Sequence, residues 1–195
     1  MRQAHRMVWP CLIMGILGSG LGCTVAPTND TASAPTITSF IPAQTLVGNQ
    51  VTISGTSFSG ATALTFNGVP VTVYSLDSAT QITATVPPAA STGKLTVTNS
   101  AGTATSSATF SVIPAITAIS PTMGPTGTTV TLTGSGFLGT TRVTFGAQSS
   151  SAYGAAFTVD GANQVTATVP ADAITGAVYL SSSDITCTGP VFTVR

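Results

Sequence analysis

The sequence contains little charge. Only 5% of its 195 residues are charged, whereas an ordinary globular chain has about 25%, and the five acids are all aspartate because glutamate is absent. Five bases balance the five acids, and they form no cluster. This excludes the electrostatic attraction on which nucleic-acid binding depends, so we expect no nucleic-acid partner. The scarcity of strong helix formers argues against a helical fold.

Histidine and tryptophan are almost missing. The single histidine, His5, and the single tryptophan, Trp9, both lie at the extreme N-terminus. If that segment is removed on export, no imidazole remains to take and return a proton, which excludes Ser/His/Asp and Cys/His nucleophilic mechanisms. Histidine and cysteine are also too few for a zinc or copper site. We therefore expect no enzyme, no cofactor and no transition metal.

The residues that are abundant favour strands. Threonine makes up about one residue in five and, with valine, isoleucine and glycine, gives a β-branched, turn-punctuated composition. Val51–Ser54 and Leu95–Thr98 alternate apolar and polar side chains with a period of two, which predicts half-buried strands. Asn67-Gly68, between two such runs, predicts a tight hairpin because both residues tolerate positive φ. The fold class is predicted to be all-β.

The sequence also repeats itself. Pro35–Pro42 recurs as Pro114–Pro121, an offset of 79 residues, and Gln81–Pro87 recurs as Gln164–Pro170, an offset of 83. The difference predicts a four-residue insertion in the second copy, between about residues 147 and 163. Two domains follow, which we call copy 1 (residues 35–113) and copy 2 (residues 114–195).

Each copy is predicted to fold as a sandwich of two antiparallel sheets with about seven short strands. The alternation of apolar positions predicts which side chains point inward. For copy 1 the predicted core is Ile37, Val51, Ile53, Phe58, Leu64, Phe66, Ile82, Val86, Leu95, Val97, Phe110 and Val112.

Three motifs in each copy resemble those of the IPT/TIG domain, an immunoglobulin-like fold. The first is the Pro-x-Ile-x-x-x-x-Pro strand given above. The second is Gly-x-x-Val-Thr-Ile-x-Gly-x-x-Phe, present at Gly48–Phe58 and, with Leu132 in place of isoleucine, at Gly127–Phe137. The third is Val-x-Phe-Gly, represented by Leu64–Gly68 and Val143–Gly146. The resemblance covers residues 35–194 and implies tandem immunoglobulin-like sandwiches. It implies little about activity, since such folds host many functions.

The N-terminus is typical of an export signal, predicted at residues 1–22. Two arginines precede an apolar run, Val8–Leu17, which is shorter than the roughly 20 residues that span a bilayer. Cys23, preceded by Gly22, resembles the lipidated cysteine of bacterial lipoproteins, although Gly20 stands where that family has an aliphatic residue. We expect a lipid anchor at Cys23, with a secreted product as the alternative.

Residues 23–34 are polar and aperiodic, which predicts a flexible tether after the anchored cysteine. Almost no linker separates the copies, so we expect the two domains to form a stiff rod. The protein is thus expected to be a non-catalytic protein of the cell envelope, whose domains act as spacers or bind a protein or a polysaccharide. The alternatives are a structural subunit of a surface assembly or adhesin, and a glycan-binding accessory protein.

Tyr179 is the candidate ligand contact. It aligns with Thr96 between inward-facing neighbours, so its ring is expected to face solvent, where a tyrosine can anchor a ligand. Tyr153 and Phe157 are predicted to lie in the insertion of copy 2. Like Tyr179, each is either a ligand contact or an ordinary exposed aromatic residue.

Asp77 and Asp160 occupy equivalent positions before the repeated glutamine. They are expected to be turn residues, the alternative being half of a calcium site. Cys187 is expected to be a buried inert thiol, the alternative being a disulfide with an unlipidated Cys23 or with another chain.

Overall fold

The computed structural model of the chain describes residues 33–146, 154–183 and 185–195. Every regular element in these residues is a β-strand, which confirms the predicted all-β class. The same residues include no helix of the length and hydropathy needed to cross a membrane.

In its described residues copy 1 forms ten strands arranged as two main sheets. The sheet orders are β1-β3-β7-β6 and β5-β4-β8-β9, and β10 pairs in parallel with β2. The strands are β1 (Thr36–Ile41), β2 (Gln44–Leu46), β3 (Gln50–Thr56), β4 (Ala63–Phe66), β5 (Val69–Pro70), β6 (Tyr74–Ser78), β7 (Gln81–Thr85), β8 (Leu95–Asn99), β9 (Gly102–Thr105) and β10 (Ser111–Ile113).

Copy 2 repeats this arrangement with eight strands in its described residues. Its sheets have the orders β11-β13-β16-β15 and β12-β18-β17-β14. The strands are β11 (Ala115–Ser120), β12 (Met123–Gly124), β13 (Thr129–Ser135), β14 (Thr140–Phe145), β15 (Ala156–Gly161), β16 (Gln164–Thr168), β17 (Gly176–Ser182) and β18 (Ile185–Val194). The long β18 corresponds to two separate strands of copy 1, β9 and β10.

The core of each copy lies between its two sheets. Eleven of the twelve positions predicted for copy 1 are buried, and the twelfth, Ile37, is partly buried against the same cluster. Edge-to-face phenylalanine pairs lie at the centre, with ring centroids 4.9 Å apart for Phe66 and Phe110 and 5.3 Å apart for Phe145 and Phe192.

The hairpin predicted at Asn67-Gly68 is present. These residues have φ values of 47° and 82°, and Phe66 pairs with Val69 across the turn. The second strand is short, because β5 contains only Val69 and Pro70.

A buried asparagine fixes the end of the predicted tether to copy 1. The side-chain amide of Asn99 donates to the carbonyl oxygens of Ser33 and Ser57, each at 2.9 Å. Its oxygen accepts hydrogen bonds from the backbone amides of Ala101 and Gly102. Residue 33, predicted to belong to the flexible tether, is therefore held against the β8–β9 turn.

The two copies follow one another directly. Strand β10 ends at Ile113 and β11 begins at Ala115, so only the buried Pro114 lies between them. The expected lack of a linker is thus present, while the stiffness of the pair remains a prediction.

One glycine in each copy allows the first strand to close on the sandwich. A Cβ added to Gly55 would lie 1.8 Å from the carbonyl oxygen of Thr36 and 2.5 Å from Cζ of Phe58. For Gly134 the distances to the carbonyl oxygen of Ala115 and to Cζ of Phe137 would be 1.9 Å and 2.6 Å. The Gly-x-x-Phe motif is therefore a packing requirement, because the ring fills the space that any other residue would need.

Gly55→Ala and Gly134→Ala are therefore expected to destabilise the protein by about 2–3 kcal/mol each, since backbone atoms must move to admit the methyl group. Gly161→Ala is the matched control, because its added Cβ would have its nearest neighbour at 3.9 Å. Calorimetric unfolding of the three variants measures the difference. Equal melting temperatures for the three variants would contradict this packing account.

Candidate functional site

Tyr179 lies on the outer face of the β12-β18-β17-β14 sheet. Its neighbours in β17, Val178 and Leu180, are fully buried, whereas Tyr179 is partly exposed, as expected. In the register of the sheet Tyr179 stands directly between Thr144 of β14 and Thr188 of β18. Side chains opposite one another across strands have their Cβ atoms about 5 Å apart, so these three form one row.

Thr144 in this row has an unusual environment. Its side chain is on the outer face, yet it is only 1% exposed, and its hydroxyl oxygen is buried without a hydrogen-bond partner. Gly154 bridges to Thr144, and the amide of Ala155 donates to the carbonyl oxygen of Val143 at 2.9 Å, so the outer edge of β14 is covered. Burying an unpaired hydroxyl costs about 1–3 kcal/mol, which makes this position unfavourable for stability alone.

We call six of the outward side chains of β14, β17 and β18 the Tyr179 face. It consists of Arg142, Thr144, Tyr179, Ser181, Thr186 and Thr188. The group combines one phenol ring, one guanidinium and four Ser/Thr hydroxyls. Such a set donates and accepts hydrogen bonds around an apolar platform, but it contains no group suited to proton transfer at neutral pH. Reasoning from sequence found Tyr179 but missed Thr144, whose role depends on the strand register.

The two aspartates weighed as calcium ligands are strand residues. Asp77 lies in β6 and Asp160 in β15, each at a bulge where the pairing with the next strand shifts. The expectation that they are turn residues is therefore wrong, because each side chain reaches across to a threonine. Thr83 donates to Asp77 and Thr166 to Asp160, both at 2.6 Å. No cluster of three metal-ligating residues occurs in the part of the chain that the structure describes.

These bulges also protect the sheets. Strands β6 and β15 are edge strands, which expose unpaired backbone groups to other chains. A bulge carrying a charged side chain is one of the ways in which proteins block such pairing. Asp77 and Asp160 therefore serve the fold in both copies.

Phe157 is not part of the insertion. It lies in β15 at the position of Tyr74 in β6, and it packs against the core of copy 2. The extra residues of copy 2 therefore precede Ala156. Tyr153 and Cys23 lie outside the described residues.

Cys187 lies in β18 opposite Leu180 and packs partly buried against the core of copy 2. It is a free cysteine. Burial raises the pKa of its thiol above the ordinary value. The thiol is therefore protonated at neutral pH and is a poor nucleophile, in agreement with an inert core residue.

A small groove at one end of copy 1 was not predicted. It has a volume of about 150 Å³ and is lined by Gly48, Thr72, Val73, Thr85, Val86, Pro87 and Pro88. Val73 beside it is 64% exposed. The groove contains no titratable group, and the Pro87-Pro88 pair is the one feature of the sequence that could have drawn attention to it.

The fold and these surfaces define a class: tandem immunoglobulin-like sandwiches with polar outer faces. The chain belongs to the IPT/TIG domain family, whose model matches residues 35–112 and 114–193. The resemblance stated from the motifs is thus confirmed. Curated protein sequences gave no match.

Solved structures that match the chain include three surface glycan-binding proteins. One, PbSGBP-B from Prevotella bryantii, has a TM-score of 0.53 and 18% identity over 81% of this chain and 42% of its own. An SGBP-B from a xyloglucan utilization locus of Bacteroides uniformis has a TM-score of 0.38 and 23% identity over 83% and 50%.

The third is a Bacteroides ovatus SGBP-B in complex with a mixed-linkage heptasaccharide. It has a TM-score of 0.33 and 18% identity over 78% of this chain and 43% of its own. The chain therefore spans half or less of the length of these proteins. At these identities the likeness concerns the fold.

The hydrogen bonds at Asp77 give a testable pH effect. Donation from Thr83, and secondarily from Ser75, holds the pKa of the Asp77 carboxyl below its ordinary value. Because the folded pKa is the lower one, the stabilisation is present above the unfolded pKa and is lost as the pH falls through the folded pKa. Thr83→Val is expected to raise the pKa of Asp77, measured by NMR titration of the carboxyl carbon.

Thr166→Val, the equivalent change in copy 2, is the control and should leave the pKa of Asp77 unchanged. An unaltered titration of Asp77 in Thr83→Val would show that this hydrogen bond is not formed in solution.

Proposed function

We propose that the chain is a non-catalytic, surface-anchored protein whose two IPT/TIG domains act as a spacer and make contacts with polysaccharide. The observation that carries this proposal is the chemistry of the outer sheet faces. They carry cross-strand hydroxyl pairs such as Thr36 with Thr56 and Thr129 with Thr168, all exposed. Hydroxyls both donate and accept hydrogen bonds, as the hydroxyls of a sugar require.

The scarcity of charge supports the same proposal. The described residues contain three bases: Lys94 just before β8, Arg142 in β14 and Arg195 just after β18. A neutral polysaccharide offers no charge to complement, so a surface of hydroxyls and few ions suits it. Further support comes from the Prevotella bryantii protein, which shares the fold and is a surface glycan-binding protein.

The rival role is a subunit of a surface assembly, with contacts through sheet edges. Edge strands β6 and β15 are poorly suited to this, because each has a bulge and an aspartate that oppose strand addition. The polysaccharide role therefore fits the described residues better.

Affinity electrophoresis of the full chain in native gels that contain xyloglucan, mixed-linkage glucan or amylose tests the proposal. Retardation by at least one polysaccharide, relative to a gel without polysaccharide, is expected because the hydroxyl faces exchange water for sugar hydroxyls. Unchanged mobility in every gel, together with concentration-dependent oligomers in sedimentation, would favour the assembly role.

The anchor is proposed to be a lipid on Cys23, which places the protein in the cell envelope; a secreted product is the alternative. The intact mass of the native protein, recovered from the envelope and from the medium, tests this. We expect a chain that begins at Cys23, carries acyl mass and partitions into detergent, because two or more acyl chains bind a bilayer stably.

Cys23→Ser is expected to remove the acyl mass. Cys11→Ser is the matched control, since this cysteine lies in the predicted signal and should leave the mature mass unchanged. An unmodified N-terminus in the medium of wild-type cells would contradict the anchor and support the secreted alternative.

A further inference from the structure

Because the sequence repeats, the same outer sheet face occurs in both copies and can be compared between them. In copy 1 the outer face of β4, β8 and β9 has a self-contained set of hydroxyl pairs. Thr65 and Thr96 share a hydrogen bond of 2.7 Å, and Thr98 and Thr103 share one of 2.8 Å. Each outward hydroxyl of these four therefore has a partner within the sheet.

The Tyr179 face is the same surface in copy 2, and it differs at three positions, of which the exchange of Thr98 for Ser181 keeps the hydroxyl. Tyr179 stands where copy 1 has Thr96, and Arg142 stands where copy 1 has Ala63. The second hydroxyl pair is retained, since the hydroxyl oxygens of Ser181 and Thr186 share a hydrogen bond of 2.8 Å. The face has thus gained an aromatic ring and a guanidinium while keeping its backbone register.

The gain of the ring leaves Thr144 without a partner. Thr144 corresponds to Thr65, whose hydroxyl bonds to Thr96, but its own hydroxyl is buried and unpaired. A threonine at position 179 could supply that bond without a change of fold, as copy 1 demonstrates. The chain thus keeps a destabilising unpaired hydroxyl at Thr144, although a threonine at position 179 would remove it. Such a departure from the most stable arrangement is expected at functional residues.

We infer that the Tyr179 face is the polysaccharide-binding site of the chain, an inference that rests on the proposed function. The Tyr179 ring packs against the C–H face of a pyranose, and the side chains of Arg142 and Thr188 border the sugar and bond its hydroxyls. Thr144 stands directly opposite Tyr179 in the sheet, so its unpaired hydroxyl is placed to gain a partner when a sugar binds at the ring. The equivalent face of copy 1 has neither the ring nor a buried hydroxyl without a partner, and it is not the binding site.

The test uses the full chain and the polysaccharide that retards it most in the native gels described above. Tyr179→Thr, which restores the residue of copy 1, is expected to weaken binding at least tenfold. Thr144→Val removes the unpaired hydroxyl with little change of shape. It is expected to weaken binding several-fold and to raise the melting temperature of copy 2 by about 4 °C.

Thr65→Val in copy 1 is the matched control. It is expected to leave binding unchanged and to lower the melting temperature, because it leaves Thr96 without its partner. A higher melting temperature for Thr144→Val together with a lower one for Thr65→Val would show that the Thr144 hydroxyl has no hydrogen-bond partner in solution.

The outcomes separate the two proposals. Wild-type binding that persists undiminished in Tyr179→Thr overturns the assignment of the site and leaves the proposed function standing. A wild-type chain that no polysaccharide retards overturns both. Binding lost in Tyr179→Thr and weakened in Thr144→Val, but kept in Thr65→Val, supports the assignment.

Discussion

The sandwich in each copy depends on the absence of a side chain at one position. At Gly55 and Gly134 the ring of a phenylalanine three residues later and a carbonyl of the first strand occupy the space where a Cβ would lie. This close approach brings β1 and β11 onto the sheet and buries Phe58 and Phe137 completely. The outward faces, including the Tyr179 face, belong to sheets whose inner sides pack against these cores.

Much of the fold follows from patterns that the sequence displays directly. Period-two alternation identifies inward residues such as Ile53 and Val97 because a half-buried strand has just one apolar side. The repeat adds a second, independent copy of each pattern. Sequence reasoning is weaker where the chain departs from the pattern, and it misplaced Phe157 and the two aspartates. A bulge shifts the pairing by one residue without leaving a periodic signal.

The candidate site is less accessible to sequence reasoning, for a physical reason. Alignment of the copies identifies Tyr179 opposite Thr96, and alternation places its ring outside. The unpaired hydroxyl of Thr144 follows from the pairing of β14 with β17, strands more than thirty residues apart in sequence. No local pattern in the sequence indicates such a long-range pairing. In the structure it is visible as the strand register and as a hydroxyl without a hydrogen-bond partner.

The two copies show how one scaffold can serve two roles in the same chain. Four hydroxyls of the face of copy 1 already bond to one another in pairs, so they have little to gain from a ligand beyond exchanging water. The face of copy 2 gives up one of those bonds and gains a ring, so part of its hydrogen-bonding capacity is satisfied only when something else binds. A spacer needs the first kind of face and a binding domain the second. On this argument the specific polysaccharide contacts belong to copy 2, although both copies have the same kind of core and the same closing glycine.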